Sequence, residues 1–194
     1  MKSRKRILWD LDDTLNPLIR SWLSWVARLK RKTEIPTYSM IQENPPHNHF
    51  GMTLNDFLES LDRFRVSTEA FSMPVDPDVL GWFNAHGHRF DHHVLTARPH
   101  FNVNAGADWV FRNLGIWIRH FHFVPAKRPE SCLPDAGSSK AAFIRHLGAS
   151  FDYFLDDTGI NFLGTEEFVN RCLLVPQPWN SQRLTMSEIL NQIH

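Results

Sequence analysis

Short apolar runs alternate with helical patterns along the chain. Five runs stop at polar or turn-forming residues and predict buried strands over residues 6–9, 92–96, 121–124, 153–155 and 172–175. Strands that alternate with helices favour a parallel sheet covered by helices on both faces. We therefore predict an α/β fold with a three-layer, doubly wound, Rossmann-like sheet.

The helical patterns carry recognisable start and stop signals. Residues 107–114 and 139–147 precede Gly115 and Gly148, positions at which a helix is expected to end. A last helix is predicted to begin at Thr185, because Thr185 and Glu188 have the spacing of a capping box.

One long segment, residues 16–89, separates the first two predicted strands. A crossover between parallel strands needs only about a dozen residues. Helical patterns cover 17–30, 54–64 and 77–85, with a Pro- and His-containing loop at 44–51. We predict that 16–89 is an inserted helical cap on a core made of 1–15 and 90–194. It would cover the carboxyl ends of the strands, where ligands bind in such folds.

Composition narrows the function classes. The 194 residues suit one compact domain with an insertion, and the net charge of zero gives no global attraction for nucleic acid. No apolar run is long enough to span a bilayer, and the basic start lacks the apolar stretch of a signal peptide. Cys132 and Cys172 form no zinc-type spacing. We expect a cytoplasmic protein without membrane partners.

The first strand leads into an acidic loop, Asp10-Leu11-Asp12-Asp13-Thr14. Three carboxylates at one strand end repel each other unless a cation binds there. Oxygen ligands of this kind suit Mg²⁺. The residues alone leave a second interpretation open, an acidic surface turn that closes a strand.

The loop resembles the first motif of the haloacid dehalogenase superfamily, Asp-x-Asp-x-Thr after an apolar strand. The family's other motifs follow in order. A strand ends in Thr96, Lys140 precedes the last acidic motif, and Asp156-Asp157 is followed by Asn161 where the family more often has Asp. Lys127 is a rival for the lysine. The resemblance covers residues 7–161 and implies the same fold.

The resemblance also implies roles. Asp10 would attack phosphorus as a nucleophile, and Asp12 would serve as acid and then as base. Asp12 favours a phosphatase or phosphomutase, because dehalogenases of the superfamily lack this second Asp. Phosphate would be held by Thr96 and Lys140, with Ala97 and Leu11 beside them.

Magnesium is the implied cofactor. Its expected ligands are Asp10, the backbone carbonyl of Asp12, and the pair Asp156 and Asp157. We favour Asp157 as the direct ligand and expect Asp156 to bind through water.

The substrate is expected to be a small phosphorylated molecule, and a further resemblance implies a nucleotide. The layout is similar to the 5'(3')-deoxyribonucleotidase branch, in which a Pro-aromatic-Asn segment follows the last strand, here Pro178-Trp179-Asn180. Candidate substrate contacts are Trp22, Trp25, Phe50 and Arg98. Trp22 and Trp25 lie at helical spacing, which is also typical of packing residues.

Three alternatives remain at this stage. The substrate could be another small phosphate, or the end of a nucleic acid bound by the basic residues Lys2, Arg4, Lys5 and Arg6. The chain could also be a binding module that keeps the fold without catalysis. A zinc site at His86, His88, His92 and His93 ranks below a simpler interpretation, in which His92 and His93 point to opposite faces of a strand.

Overall fold

A five-stranded parallel sheet forms the centre of the protein. The computed structural model describes residues 4–30, 37–126 and 139–194. The strands are β1 (Arg6–Trp9), β2 (Asp91–Arg98), β3 (Ile118–Pro125), β4 (Phe151–Asp156) and β5 (Val169–Leu174), in the order β3-β2-β1-β4-β5. Every neighbouring pair is parallel. The predicted α/β sheet is confirmed, with β1 in its middle.

Several strands extend beyond their apolar runs. β2 begins at Asp91, which pairs with Arg6, and it ends at Arg98, which pairs with Pro125. Polar end residues make the same backbone ladder as apolar ones, so hydrophobicity alone underestimates strand length.

Seven α-helices lie within the described ranges. They are α1 (Leu18–Lys30), α2 (Leu54–Arg65), α3 (Thr68–Phe71), α4 (Pro77–His86), α5 (Val103–Leu114), α6 (Lys140–Leu147) and α7 (Met186–Leu190). The capping box of Thr185 and Glu188 is present at the start of α7. Gly148 ends α6 with a φ of 63°, a left-handed conformation that glycine adopts readily. The short helix α3 carries no clear signal in the sequence.

Alternating side chains of the strands belong to two different hydrophobic clusters, one on each face of the sheet. Trp9 of β1 belongs to the larger cluster, where it packs against Phe83 of α4 at 5.1 Å between ring centroids. Leu8 belongs to the other cluster, together with Leu95 of β2 and Ile144 of α6. The sheet is therefore covered by helices on both faces, as the three-layer prediction required.

The segment between β1 and β2 contains α1 to α4. Trp22 of α1 packs against Phe57 of α2, with ring centroids 5.1 Å apart. α4 instead contacts α7 and the sheet residue Trp9, so it flanks the sheet. The division into a cap over 16–89 and a core over 1–15 and 90–194 stays a prediction.

None of the helices in the described ranges combines the length and the apolar character that crossing a membrane requires.

Candidate active site

Three neighbouring strands bring acidic and hydroxyl side chains to one edge of the sheet. Asp10 directly follows β1, Thr96 lies near the end of β2, and Asp156 ends β4. Because β1 pairs in parallel with both β2 and β4, their carboxyl ends meet. The Asp10 backbone N–H donates to the Leu155 carbonyl at 2.8 Å, which fixes the start of the acidic loop to β4.

The loop after Asp10 turns back sharply at Asp13. Its φ of 58° lies in the left-handed region, which Asp and Asn tolerate better than most residues. The Asp13 Oδ1 atom accepts the Ile19 N–H at 3.0 Å, which ties the loop to the first turn of α1. Burial raises the pKa of Asp13, and the nearby charge of Asp157 adds to the increase.

Lys140 bridges Asp10, which follows β1, and Asp156, which ends β4. Its Nζ atom lies 2.6 Å from Asp10 Oδ1 and 2.7 Å from Asp156 Oδ2. Burial lowers the pKa of Lys140, but the two carboxylates outweigh this effect and raise it overall. The ammonium is therefore a buried cation at the first residue of α6. The rival Lys127 lies outside the described residues.

Asp156 is enclosed by protein donors. It is fully buried and accepts hydrogen bonds from Lys140, from the Asn161 side-chain amide at 2.9 Å and 3.0 Å, and from the Thr158 N–H at 2.9 Å. Asn161, which occupies a position where the family more often has Asp, thus contacts Asp156 directly. Both Asp156 oxygens are occupied by these donors.

Asp157 has a different environment because it lines the cavity described below. Its Oδ2 atom accepts hydrogen bonds from Trp179 Nε1 at 2.9 Å and from the Thr158 hydroxyl at 3.2 Å. Burial, followed by the charge of Asp156, raises the pKa of Asp157 to about 7.

The acids at this edge fit a hard divalent cation. Oxygens of Asp10, Asp156 and Asp157 can all lie within 4.8 Å of one another. Burial raises the pKa of Asp10 well above its usual value, and Lys140 offsets only part of the effect. The cluster thus holds three carboxyl groups against the single ammonium of Lys140. An all-oxygen ligand set of this kind suits Mg²⁺.

Asp12 turns away from that cluster and pairs with two arginines. Arg98 Nε lies 3.0 Å from Asp12 Oδ2, and Arg65 Nη2 lies 2.9 Å from the same oxygen. Arg65 also binds Asp62 at 2.9 Å. Burial raises the pKa of Asp12, but the two arginines outweigh it and lower the value to about 2.

A cavity of about 160 Å³ opens over this edge of the sheet. Its walls come from the acidic loop, α1, α2 and the ends of β2 and β4. The lining includes Asp10, Asp12, Asp13, Asn44, Arg65, Thr96, Ala97, Lys140, Asp157 and Asn161. Ala97 is exposed there, whereas the Leu11 side chain is completely buried in the larger hydrophobic cluster.

Solved structures with similar folds were found. A haloacid dehalogenase-like hydrolase from Streptococcus pneumoniae gives a TM-score of 0.58 at 13% identity, over 100% of this chain and 92% of that chain. A HAD-superfamily hydrolase of subfamily IA from Geobacter sulfurreducens gives 0.53 at 12%, over 98% and 97%. An L-2-haloacid dehalogenase gives 0.52 at 14%, over 94% and 90%. This chain has the haloacid dehalogenase (HAD) fold.

The reaction must still be argued from the side chains, because a shared fold does not fix function. No family model matches the sequence, and a comparison with curated proteins gives no match.

None of the four predicted substrate contacts lines the cavity at this site. Trp22 is buried and donates from Nε1 to Ser60 Oγ at 3.1 Å. Phe50 packs on Trp22, and Trp25 packs on Phe64. These placements match the packing alternative that the sequence left open for Trp22 and Trp25. Arg98 is also buried, and it pairs with Asp12.

Some residues at this site were not assigned roles from the sequence. Arg65, Asn44 and Asp13 line the cavity, and Trp179 contacts Asp157 from outside it. The Pro-Trp-Asn segment was noted as a resemblance to nucleotidases, but its contact with Asp157 could not be predicted. Asn180 continues this contact by donating to the Asp157 carbonyl at 2.8 Å.

The four histidines weighed as a zinc site do not form one group. His92 is enclosed by aromatic side chains, with Phe83 at 4.8 Å between ring centroids. His93 lies on the other face of β2 and stacks on His120. The prediction that His92 and His93 point to opposite faces is confirmed.

Proposed function

We propose that this protein is a magnesium-dependent phosphomonoester hydrolase that forms an aspartyl-phosphate on Asp10. One observation carries the proposal, the position of the buried Asp10 between Lys140 and the cavity. Lys140 contacts Oδ1, so Oδ2 is the oxygen that attacks. The positive charge of Lys140 also offsets repulsion between this carboxylate and an incoming phosphate. Thr96 donates its hydroxyl to a phosphate oxygen.

Asp10 and Asp157 would hold the cation directly, and Asp156 would support it through water. When bound there, Mg²⁺ would supply the charge neutralisation that an anionic substrate needs next to anionic ligands. Asp156 orients Lys140 and Asn161 through the contacts described above. Asp157 faces the cavity, which supports its assignment as the direct ligand.

Asp12 is assigned to proton transfer in both steps. In the first step, the leaving oxygen takes a proton from Asp12 as its bond to phosphorus breaks. In the second, Asp12 takes a proton from the water that attacks the aspartyl-phosphate. The described state holds Asp12 as an anion between Arg65 and Arg98. Because Arg65 also lines the cavity, a bound phosphate can draw this arginine away and raise the pKa of Asp12.

The proposed substrate class is a nucleoside monophosphate. Support comes from the Pro-Trp-Asn segment, whose Trp179 donates to Asp157 at the metal end of the site. Tyr38 packs against Trp179 at 5.9 Å between ring centroids, so Trp179 joins this acid to a pair of aromatic rings. Aromatic rings of this kind can stack on a base.

A phosphate-release assay tests both the proposed reaction and the proposed substrate class. Deoxynucleoside monophosphates, ribonucleotides and sugar phosphates are compared with and without Mg²⁺. We expect magnesium-dependent release that is fastest with a nucleotide. Asp10→Asn should abolish it, while the surface change Asp108→Asn should not. Release only from sugar phosphates would reject the nucleotide and keep the phosphatase, whereas activity in Asp10→Asn would reject the mechanism.

The ion pairs of Asp12 favour a second candidate, a module that binds phosphates without hydrolysing them. A residue held as an anion by two arginines is a poor acid unless substrate changes its surroundings. Binding of nucleotides without any release of phosphate, over the whole panel, would support this candidate. A role at nucleic-acid ends finds less support, because Arg4 and Lys5 precede β1 and Arg6 begins it, whereas Asp10 follows its other end.

A further inference from the structure

A second group of metal-binding side chains lies on the face of the sheet that carries α6. β2 contributes Asp91 and His93, and β3 contributes His120 and His122. Residues two apart on a strand share a face, and His93 is in register with His120. The site is distinct from the candidate active site, since His93 precedes Thr96 by three residues, or about 10 Å of strand.

The ligand atoms in this group have spacings that suit a single ion. His93 Nε2 lies 3.4 Å from Asp91 Oδ2, and His120 Nε2 lies 3.8 Å from Asp91 Oδ1. One atom from each residue can be chosen so that all three lie within 4.8 Å of one another. A tetrahedral ion with bonds of about 2.0 Å needs ligand atoms roughly 3.3 Å apart. The His120 ring stacks on His93 at 4.1 Å between centroids, so the half-exposed His120 must turn out of this stack to direct its nitrogen at the ion. We propose that Asp91, His93 and His120 bind a transition-metal ion of the zinc class, with the fourth position open to water.

The surroundings of His93 support this assignment. A histidine that binds metal through one nitrogen usually donates a hydrogen bond from the other. His93 Nδ1 lies 3.3 Å from His122 Nε2, which can accept that bond, while Nε2 faces Asp91. The Phe151 ring packs edge-on against His93 at 5.2 Å and holds the imidazole in place.

The ligand types separate this site from the one at Asp10. Two imidazoles and one carboxylate suit Zn²⁺, Co²⁺ or Ni²⁺, whereas the carboxylates at Asp10 and Asp157 suit Mg²⁺. One neighbouring cation opposes metal binding, because Arg6 Nε lies 3.8 Å from Asp91 Oδ2. The Arg6 and Asp91 side chains are 47% and 38% exposed, so this ion pair is weak and Arg6 can turn to solvent.

Calorimetric titration with Zn²⁺ tests the proposal on the full chain without a histidine tag. Excess Mg²⁺ is present throughout to occupy the acids at Asp10. We expect one Zn²⁺ per chain, and at least tenfold weaker binding in His120→Ala, whose half-exposed side chain can be removed without opening the core. His88→Ala removes an exposed histidine elsewhere and should bind like the wild type.

A third variant tests the role of the competing cation. Arg6→Gln should bind Zn²⁺ about twofold to threefold more tightly, since it removes a charge next to Asp91. The proposal is overturned if the wild type binds no Zn²⁺ under these conditions. It is also overturned if His120→Ala binds as tightly as His88→Ala.

Discussion

Arg98 binds Asp12 through two hydrogen bonds across a sequence separation of 86 residues, with Nη2 2.5 Å from Oδ1 and Nε 3.0 Å from Oδ2. A planar guanidinium and a carboxylate match well in this bidentate geometry. Arg65 adds a further contact from α2. The residue proposed for proton transfer is therefore held as an anion, and its protonation depends on these two arginines.

Weakening this pair should change the pH dependence of hydrolysis. In Arg98→Gln, the pKa of Asp12 should increase, because one of the two charges that lower it is gone. The protonated form then persists to higher pH, and the pH of maximal kcat should rise by about one unit, which corresponds to about 1.4 kcal/mol of lost interaction. Kinetics over a pH series measure this shift. Arg112→Gln, at a surface arginine paired with Asp108, is the control. The same optimum in both variants would argue against Asp12 as the acid.

The ion pairs between Asp12 and its two arginines should also make the free energy of unfolding depend on pH. The folded pKa of about 2 lies below the ordinary value of 3.8, so the stabilisation is present above about pH 4 and is lost as pH falls towards 2. The full effect is roughly 2 kcal/mol. Urea unfolding of the wild type and Asp12→Asn should show a stability gap about 1 kcal/mol smaller at pH 3 than at pH 7. A gap that is equal at both pH values would contradict the lowered pKa.

Residues at the ends of predicted elements could be located from the sequence. Asp10 and Thr96 lie where apolar runs stop, and Lys140 lies where a helical pattern starts. Parallel strands bring such positions together whatever the side chains are, so the pattern alone predicts their neighbourhood. The parallel sheet with helices on both faces followed from the same alternation, whereas the strand order became known only from the structure.

Contacts between distant elements could not be read from the pattern. Arg65 and Arg98 reach Asp12 across 53 and 86 residues, and Trp179 reaches Asp157 across 22. Such pairings depend on how the helices after β1 and the segment after β5 pack on the sheet. Local periodicity in the sequence does not determine this packing. His120 lies one residue before the predicted strand 121–124 and joins β3 only in the structure. Its neighbours on β2 become apparent only from the strand register.

Lys140 should be essential for stability as well as for activity. Lys140→Met leaves Asp10 and Asp156 buried without a cation, which should cost about 3 to 5 kcal/mol in the free energy of unfolding. Adding Asp156→Asn removes one of the two uncompensated charges and should restore about half of that loss. Hydrolysis should remain absent in both variants. Urea unfolding with an activity assay measures this, and a double variant no more stable than Lys140→Met would rule out charge compensation as the reason for burying Lys140.

The Asp157 side chain should make the stability of the fold depend on both pH and Mg²⁺. Its folded pKa of about 7 lies above the ordinary 3.8, so its favourable contribution is present below about pH 4 and is lost as pH rises through 7. Without metal, Asp157→Asn should therefore be more stable than the wild type at pH 8. We expect a Tm at least about 2 °C higher at pH 8, or about 1 kcal/mol for a chain of this size, and a difference that shrinks steadily as the pH falls towards 4. Magnesium at pH 8 should raise the Tm of the wild type and of Asp108→Asn, because it binds the folded state, but not that of Asp157→Asn. An equal response to Mg²⁺ in Asp157→Asn would place the metal elsewhere.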